Sequence, residues 1–203
     1  MTDKGYTTEA KINLYLGITI TSGDADNYIL AAQQYIDNLT GRNFKATDAE
    51  ERLFDGCNSR ELTIDDCIEV TKVEVGNDFW GDNFTTLVNT GAAPQYYLSP
   101  VNYSEKEEPI MSIIVRDRTL INGRANHKIT AKWGYSETPP EDLAFAATVL
   151  ASGMYYENKG AKAGKINKQH IGRYDVAFAD DKKMNDFDKA VNVILPAYIK
   201  HFL

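Results

Sequence analysis

Residues 128–154 read KITAKWGYSETPPEDLAFAATVLASGM, and within them the apolar period changes from strand-like to helix-like. Lys128–Trp133 sets Ile129, Ala131 and Trp133 on one face against Lys128, Thr130 and Lys132 on the other, the alternation of a half-buried strand. Pro139-Pro140-Glu141-Asp142 then opens a helix. Proline fits the first turn, and acidic residues there meet the positive end of the helix dipole. Leu143, Ala146, Ala147, Leu150, Ala151 and Met154 make its apolar stripe, and the alanines let a neighbouring helix approach closely.

Upstream of that junction the pattern is β. Arg52–Gly56 reads as a strand ending in a turn. Glu61–Ile64 and Ile68–Val75 alternate and carry β-branched residues, and Asp65-Asp66 falls between them, where turn chemistry favours aspartate. Gly76-Asn77-Asp78 marks a further turn. Residues 77–109 are rich in Gly, Asn, Pro and aromatics and read as an irregular β-insertion with loops. Ile110–Val115 is another strand.

Both ends of the chain read as helix. Thr7 and Thr8 precede a short helix, Glu9–Leu16, closed by Gly17. A second runs from about Asp24 to Thr40, capped by Ser22 or Asp24 and ended by Gly41. Its buried face is Ile29, Ala32, Ile36 and Leu39, with Tyr28 and Tyr35 alongside. After the third helix, 159–164 is a loop. Ile166–Ala179 is an extended segment, a hairpin turning at Gly172 being one arrangement of it. The last helix runs from about Asp186 to the end with a stripe of Phe187, Val191, Ile194, Leu195, Tyr198 and Phe202. Pro196 removes a bond to the Asn192 carbonyl, which predicts a kink. Strands follow strands rather than alternating with helices, so the expected fold is α+β: a helical core of about four helices with a β-rich central insertion. The expected organisation is one domain over 1–203, elaborated by β structure over about 50–133.

The composition is that of a globular protein, 43% hydrophobic and 25% charged, with a net charge of -7. No window approaches the run of ~20 apolar residues that spans a bilayer, and MTDKGYTTEAK has no signal-like apolar core, so folding in a cytosol is expected. Cys57 and Cys67 fit that setting as reduced thiols, and they lack zinc-ligand spacing. Asp24, Asp26 and Asn27 resemble a cation cluster faintly, but helix capping accounts for them. His127, His170 and His201 are far apart, and the sequence holds no nucleophile elbow, Walker loop or dinucleotide fingerprint. No catalytic residue, cofactor or metal is assigned. Tyrosine is abundant, with 12 copies. The pairs Phe79-Trp80, Tyr96-Tyr97 and Tyr155-Tyr156 read as protein-contact residues ahead of base-stacking ones, given the acidic charge.

Three stretches, in order, resemble the head–tail connector (adaptor) proteins of tailed phages. The first is Thr8–Ile18 with its Leu16-Gly17-Ile18, followed by the helix ending Leu39-Thr40-Gly41-Arg42. The second is Ala131-Lys132-Trp133-Gly134-Tyr135, then Pro140-Glu141-Asp142-Leu143 and an alanine-rich helix. The third is Ile171-Gly172-Arg173-Tyr174-Asp175-Val176, then Leu195-Pro196-Ala197-Tyr198. Residues 76–109 depart from the pattern, being longer than the compact members carry. The resemblance implies a non-enzymatic structural subunit that forms a homo-oligomeric ring in the virion neck, assembled in the host bacterial cytoplasm. Its partners would be the portal protein and a stopper or tail-completion protein. DNA would pass through without specific binding, and no membrane would be involved.

Two segments are candidate protein-binding elements. The family places the end of the chain near the portal, and Tyr198, Ile199, Phe202 and Leu203 make that end apolar, although packing on the subunit's own core is an equal reading of the same stripe. The loop carrying Lys159, Lys162, Lys165 and Lys168 is expected to order on assembly. Two other classes stay open: a phage DNA-packaging or regulatory protein touching DNA through these lysines, and a small-ligand protein or enzyme using 76–109 as a pocket.

Overall fold

The computed structural model describes residues 3–20, 22–90, 92–158, 167–171, 174–178, 186, 187 and 189–200. The fold is α+β, with helices at both ends of the chain and a β-rich centre, as the change of period predicts. The chain divides into two compact units: a helical one, residues 1–44 with 139–203, and a β unit, residues 45–138.

In the helical unit, α1 is Glu9–Leu16 and α2 is Ser22–Thr40. The Thr8 hydroxyl accepts the Lys11 N–H, and Gly17, at φ 71°, takes the left-handed position that closes α1. α2 buries Ile29, Ala32 and Ile36 as its spacing predicts, but Leu39 is 37% exposed. The inward position next to it belongs to Thr40, which is buried because its hydroxyl donates to the Ile36 carbonyl at 2.8 Å.

α3, Glu141–Asn158, is the axis of this unit. Leu143, Ala146, Ala147, Leu150 and Ala151 are buried as expected, and so are Thr148, Val149 and Ser152. The helix is therefore enclosed on nearly every side over this stretch, more than a single stripe implies. Its polar positions tolerate burial because Thr148 and Ser152 donate to the carbonyls four residues back, at 2.8 and 2.7 Å. The Thr7 and Thr148 hydroxyls also share a hydrogen bond of 2.7 Å. Tyr6 is fully buried beside them. Its hydroxyl donates to Asp37 at 2.6 Å and accepts the Phe44 N–H at 2.8 Å. Burial, then the Asp37 carboxylate, holds the phenol protonated far above its ordinary range.

β7, Asn167–Ile171, and β8, Tyr174–Phe178, pair antiparallel, the hairpin arrangement of that segment; its turn residues Gly172 and Arg173 lie outside the described residues. The terminal stretch departs from expectation. A π-helical segment, Ala190–Ile194, has the Leu195 N–H reaching back to the Ala190 carbonyl, and a single turn, α4, Leu195–Ala197, follows. The wide turn falls just before Pro196, where an ordinary α-helix would set the proline ring against the Asn192 carbonyl. α4 stops at Ala197 rather than continuing.

The β unit is an antiparallel sheet ordered β1-β6-β2-β5-β4, with β3 paired to β2. The strands are β1 Ala49–Gly56, β2 Glu61–Gly76, β3 Phe84–Leu87, β4 Tyr96–Ser99, β5 Ile110–Val115 and β6 Gly123–Trp133. Ile129, Ala131 and Trp133 are buried with Leu62, Ile64, Val73, Val75, Ile110, Ile113 and Val115. Asp65 and Asp66 form no turn: β2 runs through them. They sit where β2 changes partner, Glu61–Thr63 pairing with β5 and the stretch after Cys67 with β6. The register shifts there, Arg52 takes the Asp65 carboxylate at 2.9 Å, and the Gly134 N–H donates to the Asp66 carbonyl at 2.7 Å. Both cysteines are free thiols, Cys57 exposed and Cys67 buried.

Candidate interaction surfaces

The most elaborately built surface in the β unit is the end of the sheet where β2, β3 and β6 meet. β6 begins five residues earlier than its apolar alternation, so Asn126 and His127 enter the strand fully buried. Asn126 is a junction. Its Oδ1 accepts the Gly56 N–H at 2.9 Å, and its Nδ2 donates to the carbonyls of Ile121 at 3.0 Å and Asp78 at 3.2 Å. The Gly76 N–H donates to His127 Nδ1 at 3.3 Å. The other ring nitrogen then carries the proton, and burial holds this histidine neutral by pushing its pKa below the usual value.

The loop above this junction is fixed from both sides. The Asp78 carboxylate accepts the N–H groups of Gly81, Asp82 and Asn83 at 2.7, 3.0 and 3.1 Å. These bonds, the Asp82 N–H foremost, hold its pKa below the carboxylate range. Phe79 is clamped through its carbonyl, which accepts the Arg124 N–H at 3.0 Å. Between the exposed polar residues Asn77, Asp82 and Asn83 the loop displays two aromatic rings: Trp80 is 70% exposed, Phe79 is exposed too, and the rings meet edge to face at 4.8 Å. A solvent-facing tryptophan on a hydrogen-bonded loop loses little conformational entropy when covered, which is why such residues anchor protein contacts. A cleft of about 340 Å3 lies alongside, lined in part by Asn77, Asp117, Arg118 and Ile121.

The expected aromatic pairs divide. Phe79-Trp80 is displayed, whereas Tyr96 faces the core and only Tyr97 of its pair faces out. Tyr155 packs on Tyr28 and on Tyr156 within the helical unit.

Of the expected protein-binding residues, Tyr198 and Ile199 are half-buried. Tyr198 is tied into the helical unit: its hydroxyl donates to Asp142 at 2.8 Å, its carbonyl accepts Arg42 Nε at 2.8 Å, and its ring packs edge-on against Phe44 at 5.3 Å. The Lys200 N–H donates to the Thr40 carbonyl at 2.9 Å. Phe202, Leu203, Lys159, Lys162 and Lys165 lie outside the described residues. Lys168 is described only as a backbone position of β7, opposite Ala177. Among the described residues no group of three or more His, Cys, Asp or Glu side chains is placed to hold a metal ion, and no helix is long and apolar enough to cross a membrane.

The junction at Asn126 escaped the sequence reading because a buried amide has no periodic signal. In the sequence Trp80 is marked only by its residue type.

No protein-family model and no curated protein matches the chain. Solved structures do match. The chain is similar over 100% of its length, and 94% of the other chain, to a chain in the neck of an empty gene transfer agent (GTA) particle computed with C6 symmetry, at a TM-score of 0.59 and 16% identity. A chain in the neck of a native GTA particle computed with C12 symmetry matches at a TM-score of 0.55 and 17% identity, covering 96% of this chain and 88% of that one. A chain of the virion of the native particle matches at 0.58 and 16%, covering 100% and 94%. The chain thus has the fold of chains found in the necks of gene transfer agent particles. The resemblance to head–tail connectors drawn from its three sequence stretches holds at the level of that fold.

Proposed function

We infer that the chain is a structural subunit of the neck of a tailed phage, prophage or related particle, a head–tail connector that forms a ring between portal and tail. The observation that carries this is the fold match along the whole chain to neck chains of particles computed with C6 and C12 symmetry. The three sequence stretches give independent support. In this reading the chain carries no catalytic step, and it assembles in the host cytoplasm into the virion neck. Its partners are further copies of itself, the portal protein, and a stopper or tail-completion protein.

DNA passes through the ring without being gripped. A net charge of -7 supports this, because affinity for a polyphosphate comes from neutralising its charges. The terminal segment from Tyr198 through Ile199, Phe202 and Leu203 docks the portal. With the Tyr198 hydroxyl and ring already used internally, Tyr198 positions the segment and the residues after it make the contact. The loop lysines Lys159, Lys162, Lys165 and Lys168 join the assembly contacts.

Electron microscopy of the purified chain, alone and mixed with its portal protein, tests the reading. Closed rings that stack coaxially on the portal are expected. A chain that neither forms rings nor binds the portal, or that is retained on DNA with a steep salt dependence, overturns it.

A further inference from the structure

α1 has two apolar faces. Ile12 and Leu16 are buried, while Leu14, between them on the opposite face, is 86% exposed. Ala10, one turn before Leu14 on the same face, is exposed, and so is Ile18, which follows the left-handed Gly17 that closes the helix. The helical unit also carries a groove of about 440 Å3 between α2 and α3, lined by Ala31, Gln34, Tyr35, Asn38, Leu39 and Met154. None of these six described residues is charged, and their surface suits aliphatic side chains.

The two features face opposite ways. α1 packs on α3 at Phe145, whose ring meets Tyr15 edge-on at 6.4 Å, whereas the groove opens at Met154. At about 100° per residue, Phe145 and Met154 point about 180° apart around α3. A projection and a recess on opposite sides of one body are the elements of a head-to-tail contact, whereas a two-fold contact presses one surface against itself. Charge narrows the choice of occupant. Copies carrying a net -7 repel, so they approach most readily where the surfaces carry no acidic group: Ala10 and Lys11, the exposed helical neighbours of Leu14, add no negative charge, and none of the described lining residues of the groove is acidic.

We propose that neighbouring copies of this chain join through the helical unit, Leu14 and Ile18 of one copy seating in the α2–α3 groove of the next. The inference rests on the ring reading above and names its lateral contact.

The test uses two variants of the full chain, Leu14→Asp on the projection and Ala31→Glu in the groove. Both sites are exposed, so far-ultraviolet circular dichroism should match the wild type. By sedimentation velocity the wild type gives closed oligomers, and each variant alone loses every species above monomer. An equimolar mixture of the two recovers a dimer and nothing larger, because only one intact projection and one intact groove remain to meet. Rings that persist in either variant overturn this contact and leave the ring reading standing. A mixture that stays monomeric while the wild type assembles overturns the head-to-tail pairing. A wild-type chain that forms no closed oligomer, either alone or on its portal protein, overturns the ring reading and the contact together.

Discussion

The two units bury polar groups in different ways. In the helical unit Tyr6 and Thr7 bond across the unit, but the buried helix hydroxyls of Thr40, Thr148 and Ser152 each donate to a carbonyl one turn back in their own helix, so each of these three satisfies itself wherever its helix forms. In the β unit Asn126 spans distant segments, reaching Gly56, Asp78 and Ile121, and it is satisfied only when all of them are in place. Local satisfaction makes a core forgiving, whereas distributed satisfaction makes it all-or-none at one point. The surface the β unit displays most prominently, Phe79-Trp80, stands on that point.

Both tryptophans of the chain, Trp80 and Trp133, lie in the β unit. Their fluorescence therefore follows one unit in denaturant, while circular dichroism at helix wavelengths follows the other. Asn126→Ala should have the largest effect. It strands the buried Gly56 N–H, at about 1–3 kcal/mol for an unsatisfied buried group, and frees two part-buried carbonyls, so it should lower the fluorescence transition by about 3 kcal/mol with the helical transition little changed. If both transitions move together, the units unfold as one and the contrast drawn above collapses.

Ala147→Leu should come next. The fully buried Ala147 has no room for three further carbons, and overpacking costs about 1–3 kcal/mol. Here the helical transition should move and the fluorescence transition stay. An unchanged helical transition would mean that α3 is less tightly enclosed than its burial implies.

pH gives a smaller effect, confined to the β unit. His127 titrates below its ordinary value of about 6.5 when folded, so between the two values the unfolded chain binds more protons. The stability it contributes is complete above about pH 6.5 and is lost as pH falls toward the folded value. The fluorescence transition should weaken over that window in the wild type, and the slope should flatten in His127→Gln. An identical slope in both would assign the pH dependence to other groups.

Trp80→Ala should have the smallest effect on folding. With 70% of the residue already exposed, its removal should leave both transitions within about 0.5 kcal/mol of the wild type. A large loss of stability would show the indole to be part of the β core rather than a displayed contact residue.

Much of the fold was legible because burial here follows period. Ile129, Ala131 and Trp133 alternate into the core, and Leu143, Ala146, Ala147, Leu150 and Ala151 follow the helical repeat. Thr8 and Gly17 bracket α1 as their chemistry dictates. Misreadings came where a local rule met a tertiary partner. Asp65-Asp66 reads as a turn, but Arg52 and a change of strand partner keep it extended. Leu39 reads as core, but Thr40 takes the inward place by bonding its own helix. Pro196 reads as a kink in an α-helix, but a wide turn before it absorbs the misfit. The candidate surfaces were less legible. Whether an apolar residue faces in or out, as with Ile12 and Leu14, depends on which neighbour reaches it, and a sequence read element by element has no neighbours.

The β unit lies between Phe44 and Pro139, so the helical unit is made of two segments separated by residues 45–138. On a ribosome α1 and α2 emerge long before α3, whose Leu143–Ser152 stretch is enclosed in the finished unit. Until then Ile12, Ile29 and Ile36 have no α3 to pack against, and closing the unit means joining ends separated by all of residues 45–138. Such non-local contacts form late and leave apolar surface open meanwhile. A β unit that has already folded would shorten the distance the two segments must search. Synthesis of this protein should therefore be most vulnerable to aggregation in the interval between the appearance of α2 and the release of α3.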